Sequence, residues 1–105
     1  RPVASPGQQP VHYAPHTTAY RFDAAEAGRV PADGVMRIGT DNVPHRKGRS
    51  VEMPADPAAY AHDFYAILRE LDGMNLPAIY IELPPDSPQW LAVRDRILRA
   101  TRPLP

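Results

Sequence analysis

Apolar positions alternate with polar ones in some stretches of this chain and recur every three or four residues in others. That change of period predicts its elements. Thr17-Thr18-Ala19-Tyr20-Arg21-Phe22 is rich in β-branched and aromatic side chains and reads as a strand, followed by one helical turn over 24–27. After the turn signal Pro31-Ala32-Asp33-Gly34, the segment Gly34-Val35-Met36-Arg37-Ile38 alternates as a second strand, and Ser50-Val51-Glu52-Met53 as a shorter third. Residues 39–49 between them are polar and predict a loop, with four basic or titratable side chains at His45, Arg46, Lys47 and Arg49.

Asp56-Pro57 is a helix start. The Asp carboxylate caps a free amide, and Pro at the first helical position gives up a hydrogen bond that would not be made there anyway. Tyr60, Ala61, Phe64, Ile67, Leu68 and Leu71 then recur at helical spacing as the inward stripe, while His62, Asp63, Arg69 and Glu70 fall on the wet face. Gly73 ends the helix. Leu76–Leu83 is apolar almost throughout, as in a strand covered on both faces, and completes a strand-helix-strand unit. Pro84-Pro85-Asp86 breaks it, and Ser87-Pro88 repeats the cap-plus-proline device ahead of a second helix through Trp90, Leu91, Val93, Ile97, Leu98 and Ala100, which Arg102-Pro103 closes. Trp90 is placed in the core, where its truncation would cost about 3–5 kcal/mol.

Early strands followed by β-α-β-α predict an α/β fold: a small Rossmann-like sandwich with a mostly parallel sheet and a C-terminal helix. Antiparallel pairing of the early strands stays open. Residues 1–16 differ from everything after them. Prolines at 2, 6, 10 and 15, which lack an amide hydrogen and fix φ, keep this stretch out of helices and interior strands, so it reads as an extended linker before a domain over 17–105. The sequence starts at Arg1 inside that linker, which predicts a further domain ahead of it.

Composition narrows the functions open to such a domain. Twelve basic and twelve acidic residues balance, so a protein held to nucleic acid mainly by phosphate neutralisation is not expected. The absence of cysteine removes disulfides, thiolate nucleophiles and thiolate metal sites, and allows a cytoplasmic setting. No apolar run approaches the roughly 20 residues that span a bilayer, so no membrane partner is expected. Glycine-rich phosphate loops are missing, and the turns at Pro54-Ala55-Asp56-Pro57 and Pro84-Pro85-Asp86-Ser87-Pro88 set an Asp where a phosphate would have to sit. His12, His16, His45 and His62 are too scattered for a metal site, and no nucleophile elbow surrounds Ser5 or Ser50. Neighbouring helical positions point about 100° apart, so His62 and Asp63 read as an exposed polar face rather than a catalytic dyad. Arg94, Arg96, Arg99 and Arg102 make the last helix basic, suiting its C-terminal dipole and an Asp95–Arg99 pair, with an interdomain or nucleotide contact as the functional alternative. Autonomous catalysis is not expected.

Three stretches carry a resemblance. Ser5, Pro6, Gly7, His12, Tyr13, Ala14 and Pro15 fit a linker of the form SPGMKYRHYAP; Phe64-Tyr65-Ala66-Ile67-Leu68-Arg69-Glu70-Leu71-Asp72 fits LYAALRELD. Pro84, Pro85, Pro88, Trp90, Ala92, Val93, Arg94, Asp95, Arg96, Arg99 and Ala100 fit the ending PP-x-x-P-x-W-x-A-V-R-D-R-L-x-R-A. From Ser5 to Thr101 the chain resembles the interdomain linker and C-terminal domain of two-domain L-threonylcarbamoyladenylate synthases, whose catalytic domain has the YrdC-like fold.

The resemblance implies an accessory, gating role. The family enzyme joins L-threonine, bicarbonate and ATP, with Mg, into threonylcarbamoyl-AMP for the threonylcarbamoyladenosine modification of tRNA. Its linker runs back over the catalytic pocket, which makes Ser5, Gly7, His12 and Tyr13 the residues implied to lie near substrate or nucleotide. The implied partners are the catalytic domain of the same protein and, indirectly, the machinery that transfers threonylcarbamoyl to tRNA; no cofactor is expected on this chain itself. Gln8, Gln9, Pro10 and Val11 stand where the family has Met, Lys, Tyr and Arg types, which shifts the expectation from nucleotide contact toward a lid or tether. The competing expectation is a non-catalytic module that recruits tRNA or a protein partner. In either role, Arg46, Lys47, Arg49 and Arg94 are the candidate interdomain or RNA contacts.

Overall fold

Six short strands form one sheet in the order β3-β4-β2-β5-β1-β6 in a computed structural model that describes residues 13–105. The strands are β1 (Ala19–Phe22), β2 (Val35–Ile38), β3 (His45–Lys47), β4 (Ser50–Met53), β5 (Ile79–Glu82) and β6 (Arg102–Pro103). Helix α1 (Pro57–Asp72) joins β4 to β5, and α2 (Leu91–Ala100) joins β5 to β6. Every pairing is parallel except β3 with β4. The mostly parallel α/β sheet with a C-terminal helix is thus the fold the pattern predicts, and the early strands settle as parallel neighbours of β5.

The two helical crossovers explain where the core lies. Helix α1 carries the chain past β2 to β5, and α2 carries it past β1 to β6, in the same direction along the sheet. Right-handed crossovers of one direction put both helices on one face. Tyr60, Phe64, Ile67, Leu68 and Leu71 of α1 and Val93 and Ile97 of α2 accordingly bury against Met36, Val51, Met53, Ile79 and Ile81 in a single cluster. Trp90 joins it, 5% exposed, with its ring edge-on to Tyr60 at 5.6 Å. Tyr60 is fully buried, its phenol is pushed up by burial and then by the Glu82 charge, and its hydroxyl has no hydrogen-bond partner among the described residues.

On the opposite face, Phe22 and Val35 are buried outside that cluster, and the Tyr20 and Tyr80 rings stack at 5.5 Å across the β1–β5 register. Gly34 makes the tight entry to β2: its φ is +79°, and a Cβ there would stand 2.7 Å from the Ala78 carbonyl oxygen. Only glycine fits that approach.

Five expectations need correction. The predicted loop over 39–49 contains a strand, β3, which pairs antiparallel with β4 through a turn at Gly48 (φ +61°). All three of its residues are exposed and polar, as suits a charged edge strand, and such a strand has no apolar face to announce it. The second helix is not continuous from Ser87. A 3-10 turn over Pro88–Trp90 comes first, and the Ser87 side chain makes no cap, whereas Asp56 accepts the Ala59 amide at 3.0 Å. Arg102-Pro103 does more than close α2, since it pairs with Tyr20 and Arg21 as β6. The Leu76–Leu83 strand shortens to Ile79–Glu82, and the single turn over 24–27 extends as a 3-10 helix over Ala24–Arg29, capped reciprocally by Asp23 and Glu26. No helix among the described residues is long and apolar enough to cross a membrane.

Candidate functional site

Helix α1 ends with two carboxylates, Glu70 and Asp72. Two helical positions turn the chain by about 200°, so the pair projects to opposite sides of the helix. Each holds a segment distant in sequence.

Asp72 faces the incoming chain. Its Oδ2 accepts the Tyr13 hydroxyl at 2.8 Å and the His16 amide at 3.0 Å, and its Oδ1 accepts the Thr17 amide at 2.8 Å. The Thr17 hydroxyl also donates to the Asp72 carbonyl at 3.5 Å. One side chain thus gathers donors from three residues of a five-residue segment. Desolvation alone would raise the Asp72 pKa. The Thr17 and His16 amides, with the Thr17 and Tyr13 hydroxyls, outweigh it and hold the carboxyl at about 2, against an ordinary value of 3.8. Asp72 is an anion at any physiological pH.

The Tyr13 ring is seated as firmly as its hydroxyl. It meets Tyr65 edge-on at 6.2 Å, and the Arg69 guanidinium lies 4.9 Å from its centroid. Burial, then the bond to Asp72, pushes the Tyr13 phenol up, so it stays a neutral donor. Tyr13, Tyr65, Arg69 and Asp72 form a clamp that holds Tyr13 to the end of α1. Its parts are spaced for this: Tyr65, Arg69 and Asp72 are four and three positions apart along one side of α1.

Glu70 holds the hairpin edge. Arg46 Nε and Nη2 donate to its two oxygens at 2.7 and 2.6 Å, a bidentate pair that pulls the Glu70 carboxyl below its ordinary value. The other basic side chains of this region are paired too. Lys47 lies 2.9 Å from Glu52, Arg49 lies 2.7 Å from Asp33, and the His45 ring lies 2.7 Å from Asp41. Arg94 is half-buried and donates to the Pro84 carbonyl at 2.7 Å, tying α2 to the loop before it. His62 and Asp63 do meet at 3.2 Å, with the histidine side chain 86% exposed.

Of the residues implied near substrate, Tyr13 sits on α1, and Ser5, Gly7 and His12 lie outside the described residues. The structure does not bring Arg46, Lys47, Arg49 or Arg94 together with Tyr13; each is engaged elsewhere in the domain. Asp72, Tyr65 and Arg69 are the residues that reading by sequence misses. One signal points to Asp72: a carboxylate on the last helical residue faces the negative end of the helix dipole, an unfavourable place unless donors arrive from outside the helix. Among the described residues, no group of three or more His, Cys, Asp or Glu side chains could hold a metal ion.

The fold and the clamp define a small α/β domain that holds the segment from Tyr13 to Thr17 on the end of α1. The chain belongs to the threonylcarbamoyl-AMP synthase C-terminal domain family, whose model matches residues 1–101. Searches among curated proteins and among solved structures return no match.

Proposed function

We propose that this chain is the accessory and gating domain of an L-threonylcarbamoyladenylate synthase, docking on a YrdC-like catalytic domain that makes threonylcarbamoyl-AMP from L-threonine, bicarbonate and ATP with Mg. The product would then pass to the machinery that modifies tRNA. The observation that carries this reading is the Asp72 clamp, because a gate must pivot on a fixed point. Tyr13, His16 and Thr17 are all pinned to α1 by one carboxylate, which supplies such a point.

Physical chemistry says what such a gate is for. Threonylcarbamoyl-AMP is a mixed anhydride, and a strap closed over it would exclude the water that hydrolyses it. Proline-stiffened chain loses less entropy on closing than flexible chain. In this assignment Ser5, Gly7 and His12 act over the catalytic pocket, and Tyr13 acts as the anchor that registers them. A tRNA-recruiting role has less support, because the cations it would use at Arg46, Lys47 and Arg49 already have carboxylate partners.

Adding this chain to a separately produced YrdC-like catalytic domain tests the reading. The expected result is a gain in threonylcarbamoyl-AMP formation or in thermal stability of the catalytic domain, reduced by Asp72→Ala. No gain in either would overturn it. The chain alone should neither hydrolyse ATP nor bind it in the micromolar range by calorimetry.

A further inference from the structure

A cavity of about 350 Å³ opens between the linker's entry and the end of α2, lined among others by His16, Thr17, Thr18, Arg99, Thr101 and Arg102. We propose that it binds a small polyanion of the phosphate or pyrophosphate class. Its walls carry two guanidinium groups and the Thr18 hydroxyl, donors that suit such a ligand and make a poor lining for an apolar one. The charge balance at this corner is favourable. Arg102 has no ion-pair partner among the described residues, whereas Arg99 shares its charge with Asp95 at 2.9 Å. Arg21 adds a third guanidinium beside the cavity, its Nη1 donating to the Thr101 carbonyl at 2.9 Å. The nearby anion, Asp72, already accepts three donors.

Two features of α2 and β6 fit this use. The basic residues at the end of α2 complement its dipole, but that role needs only one or two cations and no cavity. Thr101 turns its hydroxyl back to the Ile97 carbonyl at 2.6 Å, and its own carbonyl accepts from Arg21, so two oxygens that would repel an anion are occupied. The chain's balanced charge supplies no excess of cations over anions to neutralise a nucleic-acid backbone, which favours a small ligand over an RNA.

The site also touches the linker. Its walls include 14–17, the segment set in place by Asp72. Whatever binds there therefore favours the docked linker, and docking favours binding to the same degree. Ligand binding itself does not depend on the gating role; the regulatory consequence rests on that proposed role.

Titration of the 105-residue chain with inorganic pyrophosphate, followed by amide NMR, tests the assignment. Saturable shifts at Thr17, Thr18, Thr101 and Arg102 in the millimolar range are expected. Each removed cation should weaken binding by about tenfold, so Arg99→Ala with Arg102→Ala leaves no saturation, while the paired Arg→Lys changes retain part of it. Asp72→Asn should weaken binding by loosening the wall, with the rest of the spectrum unchanged. The proposal is overturned by absence of saturation, by equal shifts in the Arg99→Ala/Arg102→Ala chain, or by shifts spread over Arg46 and Arg49 as well. Tighter binding of a short single-stranded RNA than of pyrophosphate would overturn the small-ligand assignment. These outcomes are independent of any catalytic domain, so they separate the failure of this site from the failure of the gating role.

Discussion

Glu70 and Asp72 are two residues apart on the same helical turn, and both have their carboxyls held below the ordinary range, yet they hold their segments by different physics. Glu70 pairs with one charge, Arg46, at the surface, where the side chains are 36% and 52% exposed. Asp72 accepts from three neutral donors among the described residues, two of them backbone amides. An exposed ion pair contributes little because water and salt screen it and two long side chains must be ordered to make it. A carboxylate that collects amides from the chain it positions fixes that chain's backbone directly. The hairpin edge is tethered; the linker is clamped.

Removing the clamp should have the largest effect. Asp72→Ala leaves the Tyr13 hydroxyl and the His16 and Thr17 amides without their acceptor and is expected to cost about 2–3 kcal/mol, read by urea unfolding with Trp90, the sole tryptophan, as the fluorescent probe. A loss below about 0.5 kcal/mol would make the two carboxylates equivalent and break the comparison.

Acid should expose the same difference next. The Asp72 carboxyl is at about 2 in the folded chain and near 3.8 unfolded, so its contribution is complete above pH 4 and falls away as pH drops toward 2. After allowance for partial solvent screening, about 1–2 kcal/mol should be lost across that window, and Asp72→Asn should flatten the profile there. An unchanged profile in that variant would place the acid sensitivity on other carboxylates.

Tyr13→Phe should cost about 1 kcal/mol, because it removes the hydroxyl but keeps the ring against Tyr65 and under Arg69. Hydrogen exchange should then be faster at His16 and Thr17 and unchanged in α1. Equal acceleration across the helix would show that the ring contacts, not the hydroxyl, set the anchor.

Smallest of all is the Glu70→Gln effect, expected at about 0.2–1 kcal/mol in low salt and close to nothing in 1 M NaCl. The Asp72→Ala loss should persist in the same salt. Equal salt sensitivity at the two positions would show that both act mainly through charge.

How far these residues could be read beforehand follows from what each signal depends on. Helix α1 was legible in full, from the Asp56 cap through the Tyr60-to-Leu71 stripe to Gly73, because capping and helical spacing are local. Ser87-Pro88 repeats the Asp56-Pro57 device but opens a 3-10 turn instead, with no side-chain cap, so the same local signal specified a start without specifying its geometry. Strand β3 has no apolar face, and β6 is two residues long; each exists because a neighbouring strand offers it hydrogen bonds. Tyr13 was legible only as part of a proline-rich stretch, because its seat on α1 depends on a carboxylate 59 residues away.

The sequence by itself determined the two helices, the strands that carry an apolar face, the proline-rich character of 1–16 and the family. These rest on periodicity, caps and local motifs, which act between residues close in the chain. Tertiary structure decided which charges have partners. It consumed the hairpin cations in ion pairs, gathered the linker's donors on Asp72 and left Arg102 lining a cavity, because partnership across tens of residues is set only when the sheet and its two helices bring distant segments together.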